Sequence, residues 1–260
     1  MDVPLVAGCA AAGLLLGDQL EVVVQRTGAH QSLTRPWWRC DSCHKPLTGL
    51  ARVPLVRAAG NRRCGSCGAT TAHRWRPTVL AVVSAVVLGA LAGRFGPDAA
   101  LAPFAVWGLG LVALSAVDVE RYIIPNRVVY PTLAVVGPLL VAASAVDDRW
   151  GSLAWAAIAG AVAFAAMFAV HFAYPKGMGF GDVRLSGLVG VAAGWLGLGH
   201  AFVAFLAGFV LASVVGVAAG MVSGQGRKQR LFFGPFLAAG GLIAVVAGNP
   251  MVAALFHRGG

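Results

Sequence analysis

The stretch LAWAAIAGAVAFAAMFAVHF, residues 153–172, runs for twenty positions without an acid, a lysine or an arginine. About 20 such residues make a helix long enough to cross the ~30 Å of hydrocarbon in a bilayer. Working outward from it, comparable apolar stretches recur at 3–24, 78–93, 99–117, 128–146, 183–197, 201–222 and 231–248, of which 183–197 is the shortest. The chain has 260 residues, 58% hydrophobic and only 12% charged, with a mean hydropathy of +0.77, which excludes an ordinary water-soluble domain. The expectation is an all-α polytopic membrane protein of about eight transmembrane helices. Residues 1–20 have no basic leader region and run straight into the first span, so no cleaved signal is expected. No internal repeat stands out, and the 35 glycines suit close packing of helices in a bilayer.

The net charge of +10 is unevenly placed. With the N-terminus outside, only Arg94, Arg149 and Arg258 lie outside, and the remaining lysines and arginines face the cytoplasm. Positive charge sets orientation, so both termini are expected outside. Basic loops facing anionic lipid account for the charge, and no nucleic-acid partner is expected.

The long polar insertion, residues 25–76, carries Cys40-Asp-Ser-Cys43 and Cys64-Gly-Ser-Cys67. Two CxxC pairs at this separation are the pattern of a four-thiolate zinc site, in which metal binding folds a segment too small to bury its own core. Two disulfides are the alternative, disfavoured by a reducing cytoplasm. His44 and His73 flank the cluster as surplus ligands at most, and Cys9 reads as a small apolar residue of the first span.

Asp118 ends the third span and Asp182 precedes the sixth, on the same membrane face. An acid at a membrane boundary points to a polar cavity. Two converging carboxylates share one proton, so that one serves as base on a water while the other serves as acid, which is the chemistry of peptide hydrolysis without a catalytic metal. Gly177, Gly179 and Gly181 free the backbone beside Asp182, and Pro125 keeps Ile124 out of a helix. Glu120 is an alternative partner, or a solvated charge beside Arg121; Lys176 and Arg184 either orient substrate or anchor at headgroups. Asp98, Asp147 and Asp148 read as interfacial charges of the outer loops.

At these residues the chain resembles the type IV prepilin peptidases, GxGD-type membrane aspartic proteases, over nearly its whole length. Asp118 followed by Ile124-Pro125-Asn126 is similar to the first catalytic block, Gly179-Phe180-Gly181-Asp182-Val183-Arg184-Leu185 to the second, and Phe233-Gly234-Pro235-Phe236-Leu237 to a late glycine-proline motif. The cysteine pairs match the zinc-binding loop of the longer members. The resemblance implies Asp118 and Asp182 as the catalytic pair, with Pro125, Asn126, Gly179, Gly181 and Arg184 in support. It implies cutting of a short basic leader after a glycine, on the cytoplasmic side of the bacterial inner membrane, in prepilins or pseudopilins of type IV pilus and type II secretion systems. The domains expected are a first transmembrane helix at 1–24, a cytoplasmic zinc-binding loop at 25–76 with Cys40, Cys43, Cys64 and Cys67, a peptidase core at 77–250 and a tail at 251–260.

Members with this loop often methylate the new N-terminus, with S-adenosylmethionine as donor. This chain departs from their pattern: Gly17-Asp18-Gln19-Leu20-Glu21 stands where asparagine usually ends the motif, and Arg76-Pro77-Thr78-Val79-Leu80 lacks the acid that follows the cysteine loop. Asp18 and Glu21 share a helical face, either as a polar cluster or as end-of-span charges near Arg26. Two other readings stand beside the peptidase: a non-enzymatic zinc-anchored scaffold or transporter, in which the aspartates are dispensable, and a peptidase for a different leader.

Overall fold

The computed structural model describes residues 2–28, 40, 43, 45, 64–68, 76–175, 178–223 and 232–256. Among the described residues the chain is built of helices: α1 (Val3–Gly28), α2 (Arg76–Phe95), α3 (Leu101–Arg121), α4 (Asn126–Val146), α5 (Trp150–Ala173), α6 (Phe180–Leu196), α7 (Leu198–Ser223) and α8 (Gly234–Phe256). Seven of them, all but α6, are long and apolar enough to cross a membrane, and the chain is an all-α polytopic membrane protein. At 17 residues, α6 spans roughly 25 Å at 1.5 Å per residue. Most of its side chains from Val183 to Trp195 are buried, against α5, α7 and α8. His44, His73, Lys176 and Gly177 lie outside the described residues, as does the side chain of Asp18.

The chain divides into two compact units, Met1–Gly96 and Pro97–Gly260. In the first, α1 and α2 meet along a seam of small residues. A Cβ added at Gly13 would lie 2.6 Å from the Ala85 backbone, and one at Gly17 would strike Ala81. Without water to squeeze out, helices in a bilayer gain affinity from such close approach.

In the second unit α3 packs on α4 and α8, α4 also touches α5 and α6, and α6 and α7 both pack on α8. Trp107, Phe104 and Leu111 of α3 and Val189 and Trp195 of α6 are buried here, with Phe104 set edge-on to both tryptophans at 5.9 and 6.0 Å. The two helices that carry Asp118 and Asp182 thus share α4 and α8 as neighbours. In the loop after α4, Arg149 lies 3.5 Å from Asp98 and 3.9 Å from Asp147, an exposed ion-pair group.

Candidate active site

One turn beyond Asp118, α3 stops. Tyr122 takes a left-handed conformation, φ 55°, and its N–H closes on the Asp118 carbonyl at 2.8 Å. Left-handed backbone is uncommon for a residue with a Cβ, so a tertiary contact has to hold it; the Phe232 ring lies 5.9 Å away. The chain then runs to Pro125, which is extended and caps α4. This is the shaped break expected from Ile124-Pro125.

The Asp118 carboxylate faces inward, 5% exposed, and its Oδ2 accepts the backbone N–H of Gly234 at 3.1 Å. Gly234 is the first residue of α8. The N–H groups of a first helical turn have no partner within the helix, and the dipole there favours a carboxylate. A Cβ at Gly234 would lie 2.7 Å from Asp118 Oδ2 and 3.2 Å from Ile124 Cδ1. Glycine is what permits the approach.

Asp182 stands in the first turn of α6, three residues past the cap Gly179. Its N–H donates to the Gly179 carbonyl at 3.1 Å, and its carboxylate takes a backbone hydrogen bond from Gly179. The carboxylate reaching back to the cap N–H is one half of a capping box, and the glycine cap has no side chain to supply the other. Asp118 and Asp182 lie within electrostatic reach of each other. A Cβ at Gly181 would meet Ile124 Cβ at 2.7 Å, so Ile124 sits against both Gly181 and Gly234 and joins the three segments. Glu120, by contrast, is exposed.

The rim is aromatic and basic. The Arg184 guanidinium donates to Asn126 Oδ1 and lies over the rings of Phe180 at 4.3 Å and Tyr130 at 5.9 Å. His171 Nδ1 donates to the Met178 carbonyl at 2.8 Å, tying the loop before α6 to the end of α5.

The cysteines of the first unit come together as the spacing predicts. The Sγ atoms of Cys40, Cys43, Cys64 and Cys67 lie within 4.8 Å of one another, and none of the four is joined in a disulfide. The Cys40–Cys67 and Cys43–Cys64 sulfur separations are both 3.7 Å. A tetrahedron with metal–sulfur bonds of about 2.3 Å has edges of about 3.8 Å. The set fits a metal ion and is too open for disulfides. Backbone hydrogen bonds from Ser66 and Cys67 lower the Cys64 thiol from 9.0 to about 6, toward the thiolate that a metal requires.

Glu21 has a different partner from the one its sequence neighbourhood offered. It is 1% exposed, and its two oxygens take Nε and Nη2 of Arg76 at 2.5 and 2.6 Å, with Gln25 Nε2 at 2.7 Å. This is the bidentate fork that only arginine supplies. Oε1 accepts two hydrogen bonds and Oε2 one, so the pair ties α1 to α2 as a buried polar contact. Sequence reasoning missed the roles of Arg76, Ile124 and the Gly234 N–H; the Phe233-Gly234-Pro235 motif was the one signal for the last.

Comparison with known proteins gives the same direction. Residues 105–220 match the model of the type IV leader peptidase family, and residues 11–95 match that of the bacterial peptidase A24 N-terminal domain. The chain is 30% identical over 277 residues to a prepilin leader peptidase/N-methyltransferase of Burkholderia pseudomallei (strain 1026b), covering 92% of this chain and 84% of that protein. A protein of the same name from Bacillus subtilis (strain 168) is 28% identical over 244 residues, covering 92% and 93%. The one from Stutzerimonas stutzeri is 27% identical over 247 residues, covering 90% and 80%. No solved structure matches the chain.

Proposed function

The chain belongs to the type IV leader peptidase family, and from that premise we propose that it cuts the short basic leader of type IV prepilins or pseudopilins using water held between Asp118 and Asp182. It is a peptidase and a multi-pass protein of the bacterial inner membrane, which leaves the scaffold and transporter reading without support. The observation that carries the site assignment is the Gly234 N–H on Asp118 Oδ2 at 3.1 Å, with Asp182 within electrostatic reach.

The chemistry follows from that pair. One carboxylate, ionised, takes a proton from the water as it attacks the scissile carbonyl. The other, protonated, gives its proton to the carbonyl oxygen and so forms a neutral tetrahedral intermediate. Collapse expels the amine of the new N-terminus, which takes the proton that the base received from water, while the ionised acid recovers its proton from a hydroxyl of the intermediate, and no covalent enzyme adduct forms. Each carboxylate takes one backbone N–H, Asp118 from Gly234 and Asp182 from Gly179, so the pair shares one proton and either member can serve as base. Gly181 admits Ile124 against the start of α6, and Gly179, Pro125, Asn126 and Arg184 support the turns beside the two aspartates. The positive-inside arrangement supports placing the aspartates and the cysteine loop at the cytoplasmic face with both termini outside. Cys40, Cys43, Cys64 and Cys67 would hold a structural zinc ion, which supplies folding energy to the loop.

The test is mass spectrometry of a co-expressed model prepilin, with wild type, Asp118→Ala and Asp182→Ala. Leader loss in wild type and in neither variant supports the assignment; leader loss persisting in both variants sinks it. The same spectrum reads methylation, since a gain of one methyl mass shows that the chain also transfers a methyl group to the new N-terminus.

A further inference from the structure

We propose that Arg184 is a positioning residue that acts through Asn126, holding the turn after Asp118 in register with the helix that begins at Asp182. The inference rests on the peptidase reading above and adds to it a device that fixes one aspartate against the other. Asp118 and Asp182 stand at the ends of separate helices, α3 and α6, and their separation is set by whatever joins the segments next to them. Two contacts do so. Ile124 against Gly181 sets how closely the segments approach. Arg184 to Asn126 sets how far they can slide.

The placement makes this polar contact effective. Arg184 is two residues past Asp182, on a helix, and Asn126 is the first residue of α4, joined through Pro125 to Ile124. Shifting Asn126 therefore shifts Ile124, which lies against both Gly181 and Gly234. The guanidinium is flanked by one ring from each helix, Phe180 of α6 at 4.3 Å and Tyr130 of α4 at 5.9 Å, and its Nε is buried with no hydrogen-bond partner among the described residues. A flat cation stacked on two rings and fixed at one edge by a carbonyl oxygen has little freedom left. Lysine would keep the charge and lose the stacking plane.

The rival role for Arg184 is a direct grip on substrate, and the two roles separate in a double-mutant cycle. Full-length enzyme is purified as wild type, Arg184→Gln, Asn126→Ala, the double variant and Arg184→Lys, and kcat and KM are measured on the model prepilin, with a thermal melt of each. Residues that act as a unit are non-additive. The expected result is a fall of about tenfold in kcat for each single variant, about the same tenfold for the double, unchanged KM and melting temperature, and partial recovery in Arg184→Lys. Multiplied losses of about a hundredfold in the double, or full activity in Asn126→Ala beside a raised KM in Arg184→Gln, would overturn the proposal. So would unchanged kcat in both single variants. Cleavage surviving Asp118→Ala in the same assay would mark failure of the aspartate assignment instead.

Discussion

The backbone N–H of Gly234 donates to Asp118 Oδ2 across 3.1 Å, joining residues 116 positions apart in the chain. Alanine is favoured over glycine by about 1 kcal/mol within a helix, an advantage that does not apply at its first residue. Here the side chain is excluded by the carboxylate it would strike, at 2.7 Å. Gly234→Ala is therefore expected to displace the Asp118 carboxylate and lower kcat by about 10- to 100-fold. Wild-type kcat in this variant would show that the approach is incidental.

Gly181 poses a sharper steric question. An added Cβ would lie 2.7 Å from Ile124 Cβ and 3.4 Å from its Cα, atoms that alanine at 124 would retain. Gly181→Ala is expected to lose about 10- to 100-fold in activity, and Ile124→Ala should fail to rescue it. Rescue would mean that the long branch of Ile124, rather than the turn backbone, sets the spacing.

For the cysteine cluster, the expected outcome is one bound metal ion per chain in purified protein, with Cys40→Ser and Cys64→Ser each losing it. A thiol lowered from 9.0 to about 6 contributes stability above its unfolded value and loses it as pH falls toward about 6. Metal content should accordingly hold at pH 8 and drop between pH 7 and 5, as protons compete for sulfur. Content that is flat over that range, or unchanged in the serine variants, would remove the assignment.

The Glu21–Arg76 pair is buried, at 1% and 9% side-chain exposure. Breaking one partner strands the other charge, so Glu21→Gln should cost about 3–5 kcal/mol, whereas the paired apolar change Glu21→Leu with Arg76→Met should recover most of it. Thermal melts of the three chains decide this. Equal losses in the single and double variants would assign Glu21 a role outside the pair.

How much of this could be read in advance depends on the kind of interaction. The span at 153–172 declared itself because a helix in lipid must be apolar on every side, and Trp150–Ala173 is that helix. Asp118 and Asp182 stood out in the sequence as acids at span ends, Asp182 beside Gly179 and Gly181, and the structure places both at helix ends within electrostatic reach of each other. Glu21 was legible as a polar oddity, yet its partner was not: Arg26 is the near basic neighbour in sequence, and Arg76, 55 residues away, takes the bond. Pairing across such a distance is decided by how α1 and α2 pack. The bond between Gly234 and Asp118 was hidden for a related reason. A backbone N–H belongs to every residue but proline, so no letter announces the one that matters.

That same bond gives the molecule a timetable. Asp118 belongs to α3, and the group that holds it belongs to the start of α8. During synthesis, a chain threaded into the bilayer only as far as α7 carries both aspartates but not the donor that orients the first. The last helix to be made is thus the one that completes the surroundings of Asp118.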